Sequence, residues 1–520
     1  MKNLFFFFAL LLFSVTTKAQ TTFYKVIDSV AGQSFGSVGA VPDSDGGYML
    51  VGATTSAICL IKTNATGDTV WTKTYKSSTA TTGYTYSSAC FTTDQGWIIV
   101  GHKIGLSDIY VLKVDAAGTI QWEKFIGTTT LPEIPNSVQQ TSDGGYVITA
   151  LQHNTPSIPP SAYIVKLDAG GAVQWNTILS IPGQGNNSGN IYATTETNDG
   201  GYLLTGEADT IASNKSSAYL LKLDHTGTLQ WSKLWSGSNG DKVSGAVLTP
   251  DNGFLISGTK RSSGGMGFGD MTITKTDSMG NISWCKAYSD VGGAVSKTSS
   301  GSFVVSGIDF RTAKMLFASI DSNGNVLWNR TIWDPFATPL LSILSCGGPS
   351  QTSDGGYILT GGAGGPGGGT KAYFFKTDAV GSPHCNDSTI TITVSPYLPI
   401  VSTPVVTSST GFSTSAVTTV VRSAADVITT YCISTGVEEK QNEISAISVY
   451  PNPSAGIFNF NGLEKGSTIQ ISDLSGRIIS KIISMNDIET IDLNGKAKGI
   501  YFYTVITDEK LVQRGKIIID

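Results

Sequence analysis

The sequence predicts an all-β chain: a seven-bladed β-propeller closed by its N-terminal strand, followed by a small C-terminal β-sandwich. Two observations predict this. A four-strand unit recurs seven times, and the last stretch of the chain alternates short apolar strands with turns. Composition agrees with both. Sixty glycines and only 14% charged residues in 520 favour short strands and tight turns, because Gly and β-branched residues are poor helix formers.

One half of the unit is an acidic turn opening an apolar strand. It reads Asp45-Gly46-Gly47-Tyr48, Asp94-Gln95-Gly96-Trp97, Asp143-Gly144-Gly145-Tyr146, Asp199-Gly200-Gly201-Tyr202, Asp251-Asn252-Gly253-Phe254, Ser300-Gly301-Ser302-Phe303 and Asp354-Gly355-Gly356-Tyr357. The other half is a strand, a hairpin turn and a Trp-bearing strand. Tyr163, Lys166, Asp168, Gly171 and Trp175 mark one copy; Trp71, Trp122, Trp231, Trp284 and Trp328 close the others. Asp followed by Gly three residues later suits a tight hairpin, with Asp bonding its own turn. Four strands repeated every 49–56 residues predict a propeller blade, since one such sheet cannot bury both its faces.

The seventh unit reaches Lys376 and Asp378 but lacks its Trp strand. Phe23-Tyr24-Lys25 repeats the pattern of Trp71-Thr72-Lys73. The N-terminal strand, with Phe23 in the Trp position, is therefore expected to close the ring and remove an open edge.

The unit from Lys222 to Trp231 resembles the tryptophan-docking motif of the quinoprotein-like, WD40-like propeller superfamily, a resemblance covering about residues 21–380. It implies that Trp71, Trp122, Trp175, Trp231, Trp284 and Trp328 are structural, packed between blades. Enzymatic quinoproteins use adjacent cysteines and a calcium-bound quinone. No two cysteines are adjacent here, so no cofactor is expected.

The two ends of the chain speak of export. Lys2, the apolar run Leu4 to Phe13 and Thr17-Lys18-Ala19 read as a signal peptide cleaved before Gln20. No later run is long and apolar enough to predict a transmembrane segment. Cys385 and Cys432 flank one segment and are read as a disulfide pair; Cys59, Cys90, Cys285 and Cys346 are read as small buried hydrophobes. Residues 386–444, rich in Val, Thr, Ser and Pro, are read as a small strand pair or an extended spacer. Residues 445–520 carry Tyr450, Pro451, Asn452, Pro453, Gly456, Gly476, Gly499 and Tyr501 in an order that closely resembles the type A C-terminal sorting domain of the Bacteroidetes type IX secretion system. That resemblance implies the type IX machinery as partner and a secreted or cell-surface location. The expected organisation is signal peptide 1–19, propeller 20–385, segment 386–444 and sorting domain 445–520.

Catalytic chemistry is harder to find. The net charge of −5 has no basic block, so no nucleic-acid partner is expected. The four histidines, His102, His153, His225 and His384, show no metal-ligand spacing. Gly32-Gln33-Ser34-Phe35-Gly36 fits a nucleophile elbow, but a strand is expected after it where an elbow needs a helix. Gly362, Gly364 and Gly367 fit a dinucleotide spacing within a run read as a loop, as is Gly264 to Gly269. Asp43-Ser44-Asp45-Gly46 opens like a calcium loop without its later ligands, and is read as a capped turn. No catalytic, cofactor or metal residue is assigned. The variable connections opposite the short turns are expected to carry any glycan or protein ligand, with His153, Lys260, Arg261, Trp333 and Phe336 as candidates. The expectation is a non-catalytic binding or adhesion scaffold. The alternatives are a secreted polysaccharide lyase or hydrolase and a purely structural envelope or matrix protein.

Overall fold

The computed structural model describes residues 20–436 and 447–520, apart from 31–34, 55–56, 78–83, 104–107, 129–130, 153–159, 181–189, 211–214, 237–240, 261–268, 299–300, 313, 334–342, 347–348, 365–369, 386, 398, 403–406, 410–412, 416–418, 424–425, 474–475 and 508–509. Among the described residues there is no helix. Two compact units divide the chain, residues 1–436 and 437–520.

The first unit holds seven antiparallel sheets. The third shows how sequence builds them. Its four consecutive strands are Glu133–Gln140, Tyr146–Gln152, Ser161–Leu167 and Val173–Ser180. Gly144, at φ 82°, turns the first hairpin, and Asp143 Oδ1 accepts the Gly145 N–H at 3.0 Å. In the last hairpin Gly171 N donates to Asp168 O at 3.0 Å, and Asp168 Oδ1 accepts the Ala172 N–H at 2.8 Å. Both turns are Asx-type, as the Asp-Gly spacings predict. Ser161–Leu167 is buried at every position, because neighbours cover both faces of the sheet.

The same order recurs in the first sheet (Gly36–Pro42 to Thr69–Ser77), the second (Tyr84–Phe91 to Ile120–Gly127), the fourth (Asn190–Glu196 to Leu229–Ser236), the fifth (Asp241–Leu248 to Ile282–Tyr288) and the sixth (Val291–Lys297 to Val326–Ile332). The seventh combines Ile343–Cys346, Ser350–Gln351, Tyr357–Gly364 and Thr370–Thr377 with the N-terminal strand Gln20–Val30. Phe23 lies opposite Lys376, the register of Trp175 opposite Lys166 and Trp231 opposite Lys222.

Aromatic rings link each sheet to the next. The turn glycines Gly118, Gly171, Gly227, Gly280, Gly324 and Gly381 lie against Trp71, Trp122, Trp175, Trp231, Trp284 and Trp328 of the preceding sheet. Phe23 of the seventh sheet lies against Gly67 of the first in the same way. A Cβ at Gly227 would fall 2.6 Å from Trp175 Cε3, so the close seat requires glycine.

Residues 387–436 depart from expectation. They form neither a strand pair among themselves nor a spacer. Asp387–Ser388, Val394–Pro396, Ile400–Ser402, Thr407–Ser409, Ser413–Ser415 and Thr419–Ser423 add a fifth strand to the sixth, fifth, fourth, third, second and first sheets in that order. Asp426–Gly436 then pairs with Gln20–Val30 in the seventh. The stretch is a belt, running through the sheets in reverse order and covering the last strand of each. The boundary expected at residue 385 therefore moves to 436, and each sheet has five positions rather than four. The physical reason is edge satisfaction: an outer strand presents unpaired N–H and C=O groups, and a main-chain belt pairs them.

The second unit packs a three-stranded sheet (Ser448–Tyr450, Ile457–Asn461, Ile488–Asp492) and a four-stranded one (Thr468–Ser472, Ile478–Ile483, Gly499–Thr507, Lys510–Ile519) around one core. Phe458, Phe460 and Ile491 from the first meet Ile469, Ile471, Tyr503 and Val505 from the second. Inward residues alternate along Ile457–Asn461, Thr468–Ser472 and Gly499–Thr507, as a two-sheet packing requires. No helix of the described residues is long and apolar enough to cross a membrane.

Candidate functional site

The repeated Asp and Lys of the sequence units meet in every sheet but the sixth. Lys166 Nζ lies 2.9 Å from Asp143, Lys222 2.9 Å from Asp199, Lys275 2.8 Å from Asp251, Lys113 2.7 Å from Asp94 and Lys376 3.0 Å from Asp354. Lys62 bonds both Asp43 and Asp45. The ammonium thus supplies the positive charge that the calcium-like spacing of Asp43 and Asp45 hints at, and the turn is structural. Burial pushes the Asp143 carboxyl up, but hydrogen bonds from Thr141, Lys166 and the Gly145 N–H outweigh it and hold it at about 2. In the sixth sheet Ser319 stands where the others have Lys, and its hydroxyl bonds Phe303 O at 3.2 Å.

Between the fourth and fifth sheets, at the short-turn end, these repeats leave a cleft of about 520 Å³. Trp231 and Met279 give it apolar walls; Asn198, Asn252 and Gln230 bring amides to it. Met279 is exposed. Trp231 is fixed from behind by Gly280, Asn198 Nδ2 donates to Asn252 Oδ1, and Gln230 Nε2 donates to Asp224 at 3.0 Å. The Asp199–Lys222 ion pair also lines the cleft. Within this lining Thr197 Oγ1 donates to Asp199, as Thr141 Oγ1 does to Asp143 in the third sheet. An aromatic wall with amide donors and acceptors suits a hydroxyl-rich ligand.

A second cavity, between the same sheets, is lined by Trp235, Asp241, Cys285 and Tyr397 and measures about 10 Å³, which admits nothing larger than a water molecule. Tyr397, between two belt strands, donates its hydroxyl to Asp241 at 2.9 Å. At the end of the second sheet, Asp108 and Glu133 crowd the backbone of Gly127. Burial pushes both carboxyls up. Glu133 is wholly buried and accepts from Thr128 and Gln152, so it holds a loop in place rather than facing a substrate.

The variable connections fall largely outside the described residues, including His153, Arg261 and Phe336. Lys260 sits over the Tyr397 ring, 5.2 Å from its centre, and Trp333 is exposed. The structure does not bring Lys260 and the cleft residues into one site. Burial lowers the pKa of His102; His384 Nε2 lies 3.1 Å from Asp378. Trp175 Nε1 donates to His225 O at 3.0 Å. Gly36 opens a strand, as expected, while Ser34 lies outside the described residues. Gly362 and Gly364 belong to the strand Tyr357–Gly364 and not to a loop, because main-chain pairing with Thr370–Thr377 carries the strand on through the glycines. Among the described residues no group of three or more His, Cys, Asp or Glu could hold a metal ion. Cys59 and Cys285 are free and buried, Cys90 free and half-buried, and Cys385 is disulfide-bonded.

The residues of the terminal motif staple the second unit. Asn452 donates from Nδ2 to Lys516 O at 2.8 Å and accepts the Ile518 N–H at 2.9 Å. Pro451 and Pro453 each follow a cis peptide bond, and Tyr450 is exposed. Gly456 O accepts the Leu493 N–H, Gly476 closes a turn on Asp473, and Tyr501 donates to Ala497 O at 2.7 Å. Gly499 opens the strand Gly499–Thr507.

Residues 448–520 match the family described as the secretion system C-terminal sorting domain. The tail therefore marks a secreted or cell-surface protein carrying a type IX sorting domain. No curated protein matches the chain. Among solved structures, a protein of unknown function from Dyadobacter fermentans is 13% identical, with 56% of this chain and 95% of that one covered and a TM-score of 0.41. PorZ, an essential surface component of the type IX secretion system of Porphyromonas gingivalis, is 10% identical over 95% of this chain and 100% of that one, TM-score 0.18. A DUF4623 family protein from Bacteroides eggerthii is 9% identical over 69% and 98%, TM-score 0.32. At these scores none of the three lends its activity to this chain.

Proposed function

We propose that this bearer of a sorting tail is a non-catalytic binding scaffold, exported through a signal peptide at residues 1–19 and the type IX machinery. In this reading the seven sheets are the blades of a closed propeller, and the cleft beside Trp231 takes a glycan. The observation that carries the ring is the series of aromatic-on-glycine contacts, which runs from Trp71 on Gly118 to Trp328 on Gly381 and returns with Phe23 on Gly67. Small-angle scattering of the mature chain tests it: a ring-shaped first unit is expected, and an open arc overturns it.

The binding role rests on the cleft, where an aromatic wall and amide groups converge. Polysaccharide binding by the mature chain is expected to weaken about two- to tenfold in Gln230→Ala and in Asn252→Gly, since one hydrogen bond contributes about 0.5–1.5 kcal/mol. Asn252 has φ 63°, so glycine keeps its backbone. Measurable polysaccharide turnover with no binding at the cleft sinks this reading in favour of an enzyme.

A further inference from the structure

We infer that Cys432 is the partner of Cys385, and that their bridge closes residues 385–432 into a covalent hoop around the seven sheets. The hoop rests on the ring proposed above; the pairing does not. Cys385 is disulfide-bonded, and Cys59, Cys90 and Cys285 are free, which leaves Cys346 and Cys432 of the six cysteines. The side chains of both lie outside the described residues, but their backbones are placed.

Position in the seventh sheet separates them. Cys346 pairs with Gly361 on the far edge of that sheet, three strands from Gln20–Val30 in the sheet order. At about 4.8 Å per strand that is roughly 14 Å, whereas a bridge needs Cα atoms within about 7 Å. Cys432 lies directly opposite Tyr24 on the adjoining strand. Cys385 packs against the cluster that contains Tyr24. Pro383, two residues before it, accepts the Thr22 hydroxyl at 3.0 Å, and Thr22 faces Ser434. The chain therefore leaves the seventh sheet and returns to it at the same height of the same strand.

Between those two points the belt pairs with the other six sheets. Without a bridge, the belt can peel from an end. Once bridged, it has no end to start from. Closure takes one proton and one electron from each thiol, and the acceptor is the disulfide of a periplasmic thiol oxidant, which leaves as a dithiol.

Non-reducing peptide mapping of the mature chain is expected to yield a Cys385–Cys432 link; a Cys385–Cys346 link overturns the pairing. Hydrogen exchange then tests the hoop. In the folded chain reduced by a phosphine, and in the Cys385→Ser, Cys432→Ser double variant, amides of residues 387–436 should exchange faster by on the order of 10²–10³-fold. Those of Ser161–Leu167 should not change. Equal belt exchange in bridged and reduced protein overturns the hoop while sparing the pairing. If the double variant does not fold, the reduced native chain still gives the reading, and an open arc in scattering marks failure of the ring instead.

Discussion

Gly144 and Gly227 share one backbone conformation, φ 82° in both, but not one neighbourhood. A Cβ at Gly144 meets nothing within 4 Å, whereas at Gly227 it meets Trp175 at 2.6 Å. Gly144→Ala should cost about 1–2 kcal/mol for the left-handed conformation alone. Gly227→Ala should cost a further ~1–3 kcal/mol for displacing the indole. Urea titration of the two variants separates strain from docking, and equal losses argue against docking. Lys166 offers a second test. It is buried, donates to Asp143 and also to Leu167 O at 3.0 Å, so Lys166→Met should destabilise by about 1–3 kcal/mol. Asp143 is held at about 2, below its ordinary value of 3.8. A depressed carboxyl adds stability above its unfolded pKa and loses it as pH falls through the folded one. Wild type should therefore lose this contribution between about pH 4 and pH 2, and Lys166→Met should show a flatter acid limb in the same unfolding series.

The four inner strands of each sheet were legible because their side chains repeat: Asp-Gly turns, Lys opposite Trp, and an apolar strand between them. Phe23 was legible for the same reason, since only its spacing to Lys25 was needed to set its register against Lys376. The Lys–Asp bridges were half legible, as both residues recur but the turn that joins them is a tertiary feature. The belt was not legible. Its strands run to as few as the two residues of Asp387–Ser388, and the side-chain contacts that help hold them, such as Arg330 to Asp387 and Tyr397 to Asp241, do not repeat from sheet to sheet. What composition marked out as a separate segment is a set of edge strands. A chain lacking residues 387–436 but keeping the tail should expose the outer edge of every sheet and self-associate, eluting as oligomers in size-exclusion chromatography. A monomer of unchanged thermal stability would show that the belt is dispensable.

For the molecule as a whole, the seam between the first and seventh sheets matters most. Phe23 is wholly buried there, edge-on to Phe374 at 4.9 Å and to Tyr48 at 5.8 Å. Phe23→Ala should cost about 3–5 kcal/mol, with exchange rising first in Gln20–Val30 and Thr370–Thr377 if the seam is the point that opens. The cleft is also a whole-molecule feature. Trp231 was readable as a docking residue, but Asn198 and Asn252 come from turns of successive sheets, and their meeting has no signature in either stretch of chain. The seventh sheet has one more consequence, which concerns time. Each of the first six sheets draws four of its five strands from one continuous stretch, as the third does from residues 133–180. The seventh joins Gln20–Val30 to Thr370–Thr377 and to Asp426–Gly436, contacts whose loop-closure entropy, like that of Thr419–Ser423 on Thr69–Ser77, makes them slow to form. The first strand therefore waits for nearly the last, and a chain whose seventh sheet is complete has been made to the threshold of its own sorting tail.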